Sequence, residues 1–235
     1  MFDFQMLFHY LELVAALSGS YYWLKTKDNS VKPFVWYLWF TVFVETLSMY
    51  TYLYEYFDTP LINWIENSVF FRNTWLYNIY NFVSLILIGM FVIRNIDNST
   101  SQKIIKLIII ACSIFSIWFF VLTGEFFIMS IPYDLAVQTF AIFIMVLLYL
   151  RELIQSEQFL DFYKSHVFYI SLAIMLWHIC LTPLFIFDEY YRFGNDDFIA
   201  FRGIFLDTFN ILLYSCYTFA FLYSLFHKRK LVMSK

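Results

Sequence analysis

Apolar residues run through this chain in seven long, nearly unbroken stretches separated by short polar segments. The stretches cover 4–24, 34–54, 75–93, 104–122, 133–150, 167–187 and 203–226. A single helix needs about 20 apolar residues to cross about 30 Å of hydrocarbon, at about 1.5 Å per residue. Backbone amides cannot stay unpaired in lipid, so only helices or a closed barrel can span it, and stretches this continuous exclude short alternating barrel strands. The pattern predicts an all-α, polytopic membrane protein, a seven-transmembrane-helix bundle built as a single membrane domain over 1–235.

Polar residues interrupt these stretches with helical spacing. In the last one Asp207, Asn210, Tyr214 and Tyr217 follow each other by three, four and three positions, which puts all four on one helix face. Thr41, Glu45, Ser48 and Tyr52 form a second stripe, and Gln5, His9 and Glu12 a third, followed by the small residues Ala15, Ala16 and Gly19. Tyr77, Asn78, Asn81 and Ser84 mark the third stretch, Asp134 and Gln138 the fifth, and Ser171, His178 and Thr182 the sixth. An ionisable side chain at mid-membrane costs about 3 kcal/mol or more, so such residues tend to face protein or water. Ala15 and Gly19, four apart, make a small-residue pair of the kind that lets helices approach closely or dimerise.

Composition agrees with this reading: 62% of residues are hydrophobic and 14% charged, against about a quarter charged in a soluble domain. The placement of lysine and arginine then orients the bundle. Twelve of them (Lys25, Lys27, Lys32, Arg94, Lys103, Lys106, Arg151, Lys164, Lys228, Arg229, Lys230 and Lys235) fall on one face, against Arg72, Arg192 and Arg202 on the other. By the positive-inside rule the N-terminus is outside and the C-terminus in the cytoplasm, in a bacterial inner membrane. The start MFDFQ lacks a basic n-region, so the first stretch is expected to be retained. Two connecting segments, PLINWIENSVFF and RELIQSEQFLDFYKSH, are amphipathic enough to lie along the interface or to extend the helices beside them.

With this orientation Glu12, Asn78, Asn81, Asp134, Gln138, Asp207 and Asn210 lie in the outer halves of their spans, and Glu45 and His178 near the middle. Inner halves such as SLILIGMFVI and AIFIMVLLYL are almost wholly apolar. The expectation is an outward-facing polar pocket that binds a small ligand or senses protons, formed by Glu12, Glu45, Asn81, Gln138, His178, Asp207, Asn210 and Tyr214. The bland reading of the same residues is interhelical hydrogen bonding, worth about 0.6 kcal/mol each.

Several chemistries can be weighed directly. A retinal protein needs a lysine within its last helix, and every lysine here lies in or within a turn of a loop or tail. Zinc hydrolases of the ceramidase and adiponectin-receptor type carry three zinc-binding histidines. Here His178 alone is mid-span, so an intramembrane metal-dependent hydrolase is a second alternative and no metal site is expected. A small transporter or channel is the first alternative, although broken helices need mid-span glycine or proline, and only Gly19, Gly89 and Pro183 qualify. Pro183 should bend the outer part of the sixth helix. Cys112, Cys180 and Cys216 lie inside spans and imply no disulfide framework, and the NST at 98–100 falls on the inner side, away from glycosylation. No nucleic-acid surface or cofactor motif is present.

The strings WLYNIYNFVSLILI, QTFAIFIMVLLYLRELI, FYISLAIMLWHI and LDTFNILLYSCYTFAFLYSL resemble, over most of the chain, a set of small uncharacterised seven-helix membrane proteins common in Bacteroidetes. Those proteins read Tyr-Asn-Ile-Tyr at the third helix, matched here by Tyr77 to Tyr80. They carry an acidic or amide residue early in the fifth, matched by Gln138, and an Asn with a Tyr four residues on in the last, matched by Asn210 and Tyr214. Where the pattern has a glutamate in the third helix, this chain has Asn81 or Phe82. The resemblance implies a sensor-like membrane domain, since similar seven-helix segments act as inputs to bacterial signalling kinases. The expected partners are therefore the lipid bilayer, a small ligand or proton, and a cytoplasmic signalling protein, with an enzyme the lesser reading.

Overall fold

Local chemistry stops each helix of the computed structural model, which describes residues 2–128, 134–191 and 195–233. Arg192, Lys235 and the expected start of a span at 133 lie outside the described residues, as do the side chains of Gln5, Asp134, Lys228, Arg229 and Lys230. Helix α1 (Phe2–Thr26) ends at Lys27, whose left-handed φ of 53° lets its amide reach the carbonyl of Trp23 at 2.8 Å. Helix α2 (Lys32–Ser48) carries Pro33 in its first turn, where a missing amide hydrogen costs nothing. The stretch expected to continue to 54 instead tightens at Ser48 into a 3-10 segment over Met49–Glu55. Hydroxyls compete with the helix ladder there: Ser48 donates to the carbonyl of Glu45 at 2.8 Å and Thr51 to that of Ser48 at 3.2 Å.

The short α3 (Pro60–Glu66) is capped by Thr59, which accepts from the Ile62 amide, and buries none of its residues. Leu61 and Trp64 are exposed, as suits a segment lying on an interface. A second 3-10 segment, Glu157–Lys164, exposes Phe159 and Leu160 in the same way. There the hydrogen bond that Lys164 donates to the Asp161 carboxylate pushes the ammonium pKa up.

Between them run α4 (Thr74–Ile93), α5 (Ser99–Thr123) and α6 (Asp134–Gln155). The NST motif has a structural use: Asn98 caps α5, its side-chain oxygen accepting from the amides of Thr100 at 2.9 Å and Ser101 at 3.1 Å. The carboxylate of Glu152 on α6 accepts from the amides of Asp97 and Asn98, tying the loop to its neighbour. Asn98→Ala should cost about 1 kcal/mol, read as a lower midpoint of thermal unfolding in detergent, whereas Asn98→Asp should cost little. At its far end α5 stops on Gly124, at φ 69°. Helix α7 (His166–Tyr191) continues through Pro183, and α8 (Asp196–Met233) is 38 residues long, about 57 Å.

No strand occurs among the described residues, and five of the helices, α4 to α8, are long and apolar enough to cross a membrane. Helix α2, with 17 residues, and α1 stand outside that set. Contacts run α1 to α2, α2 to α4, α4 to α6, α6 to α7, α7 to α8 and α8 back to α1, a closed ring of six helices. Helix α5 leans on the outside of α4 and α6, and only Ser101 and Ile105 of it are buried. Most of α5 is therefore left for lipid.

Small residues close the α1–α8 seam. Ala15 and Ala16 are fully buried, and a Cβ on Gly19 would stand 2.9 Å from the Phe221 ring. The small-residue pair noted in the sequence is thus used within the chain. The ring is filled near the α1–α2 loop by Tyr22, Phe34, Phe91 and Phe221, with Phe34 touching Phe91, Tyr217 and Phe221. His166 joins this layer, its ring 4.6 Å from that of Tyr22.

Candidate functional site

The stripes on α1, α2, α4 and α8 meet inside the ring, toward the Glu12 end of α1. Glu12 is 2% exposed although it carries a carboxylate. Its Oε2 lies 3.2 Å from Nδ1 of His9, one helical turn earlier. Tyr214 of α8 lies within electrostatic reach of Glu12. The second ring nitrogen of His9 stands 3.3 Å from the hydroxyl of Thr46 on α2. The imidazole–carboxyl pair therefore ties α1 to α2 beside α8, with the His9 side chain 21% exposed against 3% for that of Glu12.

Glu45 extends the cluster toward α4. Tyr77 donates to its Oε2 at 3.1 Å and also lies 3.3 Å from the Ser48 hydroxyl. One turn deeper, Thr41 stands 3.3 Å from the hydroxyl of Tyr80, which donates to that of Tyr37 at 3.3 Å. Glu12 and Glu45 are within electrostatic reach of each other, and Tyr37, Tyr80 and both carboxyls are within reach of Tyr214. Two carboxyls, one imidazole and four phenols thus occupy one interior on four helices. Buried carboxyls need such donors, because an unpaired charge out of water is costly. The set can hold and exchange protons; below it Phe34 packs edge-on to Tyr217, centroids 4.9 Å apart, and closes the interior with apolar rings.

The remaining expected residues lie elsewhere in the ring. Asp207 is on the same α8 stripe as Tyr214 but seven residues, about 10 Å, further along the axis. No described residue hydrogen bonds to it, and it is half-buried. Asn210 faces α7, accepting from the Trp177 indole at 2.9 Å. His178 is buried and donates from Nδ1 to its own helix at the Ile174 carbonyl, 2.8 Å away, so its ring acts within the α6–α7 packing. Beside it Thr139 and Thr182 join α6 to α7. Gln138 is buried on α6 and Asn81 half-buried on α4, while Asn78 donates to the carbonyl of Phe126 at 2.8 Å. Of the eight residues expected to share a pocket, Glu12, Glu45 and Tyr214 come together.

The members not singled out as pocket residues are His9, Tyr37, Thr46, Tyr77 and Tyr80. A signal for Tyr37 was present: it precedes Thr41 by four and so extends the α2 stripe of Thr41, Glu45 and Ser48 by one turn. In a chain with 24% aromatic residues that turn reads equally well as packing.

Among the described residues no group of three His, Cys, Asp or Glu side chains is placed to hold a metal ion. No family model, curated protein or solved structure matches the chain. What fold and site define is a class: a protein helical throughout its described secondary structure, with five helices long and apolar enough to cross a membrane and a carboxyl–tyrosine interior.

Proposed function

We propose that the protein is a seven-span sensor of a bacterial inner membrane, N-terminus out, in which protonation or a small ligand at the His9–Glu12 pair is passed along α8 to a cytoplasmic partner. The observation that carries this reading is the buried Glu12, held 3.2 Å from His9 on its own helix and within electrostatic reach of Tyr214 in the middle of α8. Helices α1 and α2 supply the two further spans, and the excess of lysine and arginine at one end supplies the orientation. Helix α8 is unbroken from Asp196 to Met233, so a shift at Tyr214 moves the basic segment at its inner end as one rod. A pair that gains or loses a proton changes both its charge and which of its atoms donate, and this can bias two packings of α1 against α8. The apolar rings under the cluster favour sensing over a continuous wet path for transport.

The test uses spin labels or fluorophores at the inner ends of α1 and α8, with distances recorded in nanodiscs between about pH 5 and pH 8. The native chain should show a pH-dependent distance change, Glu12→Gln should abolish it with the fold intact by circular dichroism, and Asp207→Asn should leave it in place. An unchanged response in Glu12→Gln removes the proposal.

A further inference from the structure

We propose that the end of the bundle where the α1–α2 loop meets α4 holds the phosphate group of an anionic phospholipid. An open hollow of about 460 Å³ lies there, lined by Asn29, Ser30, Lys32 and Arg94. Two of its four lining residues are cations, and among the described residues neither is paired with a carboxylate. Asp28, within the same loop, accepts at Oδ1 from the Ser30 amide at 3.1 Å and from the Ser30 hydroxyl at 2.7 Å.

Both cations are held in place. Arg94 donates one Nη1 hydrogen to the Asn29 carbonyl at 2.8 Å, which fixes the guanidinium and leaves most of its planar fork for a second acceptor. Lys32 has its ammonium 4.9 Å from the ring of Trp36 and 5.5 Å from that of Trp23. Such contacts position an ammonium without neutralising it. The same tryptophans are the residue type that settles at headgroup level, which puts the hollow at the depth of lipid phosphates. Trp36, exposed beside the Lys32 ammonium, offers an apolar wall next to the hollow. A free phosphate would use only the cations, whereas a phosphate ester with acyl chains uses the wall as well. Cationic recesses between membrane helices suit anionic headgroups for this reason.

This inference stands apart from the sensor reading and survives its failure. The experiment is native mass spectrometry and thermal unfolding of the full chain in neutral detergent, with phosphatidylglycerol, phosphatidylcholine or inorganic phosphate added. Phosphatidylglycerol should give retained adducts and a raised unfolding midpoint, and phosphatidylcholine neither. The variant carrying Lys32→Gln and Arg94→Gln should lose about tenfold in adduct retention, while Lys106→Gln should match the native chain. If the double variant folds poorly, the charge-keeping Lys32→Arg with Arg94→Lys should retain most of the preference for phosphatidylglycerol. Equal binding of the two lipids overturns the proposal, as does unchanged retention in the charge-removing variant. Inorganic phosphate giving the same midpoint shift without lipid assigns the site to a soluble anion and overturns the lipid.

Discussion

Phe34→Ala should destabilise the bundle by about 3–5 kcal/mol, the range for emptying a well-packed aromatic site. Phe34 is fully buried in the first turn of α2 and is shared by two other helices. Its ring centroid lies 5.0 Å from Phe91 on α4, and 4.9 Å from Tyr217 and 6.1 Å from Phe221, both on α8. In a bilayer the lost term is mostly packing, because lipid tails are as apolar as the removed ring. The hole opens in the aromatic layer beneath the polar interior. Unfolding by SDS titration, or by heat in detergent, measures the loss; Phe34→Leu, which keeps much of the volume, should cost less than half as much. A change under about 1 kcal/mol in Phe34→Ala would show that the ring is not the centre of the packing.

Gly19→Leu comes second. A bare Cβ at this position would already lie 2.9 Å and 3.2 Å from atoms of the Phe221 ring and 3.4 Å from a Val35 methyl. Both neighbours are fully or almost fully buried, so neither has room to yield. Overpacking of this kind costs about 1–3 kcal/mol, and a leucine side chain adds volume enough to push α1 off α8. The effect should appear as lower stability together with weaker coupling between Glu12 and Tyr214, since those residues face each other across the same seam. Gly203, with nothing within 4 Å of its would-be Cβ, is the internal control. Gly203→Ala should be neutral or stabilising by up to about 1 kcal/mol, because alanine favours the helix. At Gly89 the obstruction is the tip of Ile109, a flexible side chain on the loosely held α5, so Gly89→Ala should cost less than Gly19→Leu.

Along each helix much was legible. Apolar runs of about 20 residues have one common solution in lipid, and the helices Thr74–Ile93 and Ser99–Thr123 fall close to the stretches 75–93 and 104–122. Where the reading failed locally, the cause was side-chain competition that hydropathy does not register. The expected span 34–54 breaks at Ser48 because hydroxyls take the carbonyls a helix would use. Periodicity also tells which residues share a face without telling which face they meet. Asp207 and Tyr214 share a stripe, yet only Tyr214 reaches Glu12, because two helical turns separate them along α8. Asn210, between them, turns instead to Trp177 on α7.

By itself the sequence determined a helical chain with long apolar stretches suited to a membrane and polar residues placed at helical spacing within them, because hydrocarbon admits few backbones and makes charge expensive. Only the tertiary structure decided that Glu12 and Glu45 share an interior with His9, Tyr37, Tyr77 and Tyr80, while His178 and Asn210 serve the packing of α6, α7 and α8. The order of helices around the ring governs this, and that order follows from close approaches such as Gly19 against Phe221, between residues too far apart in the chain for any periodicity to register.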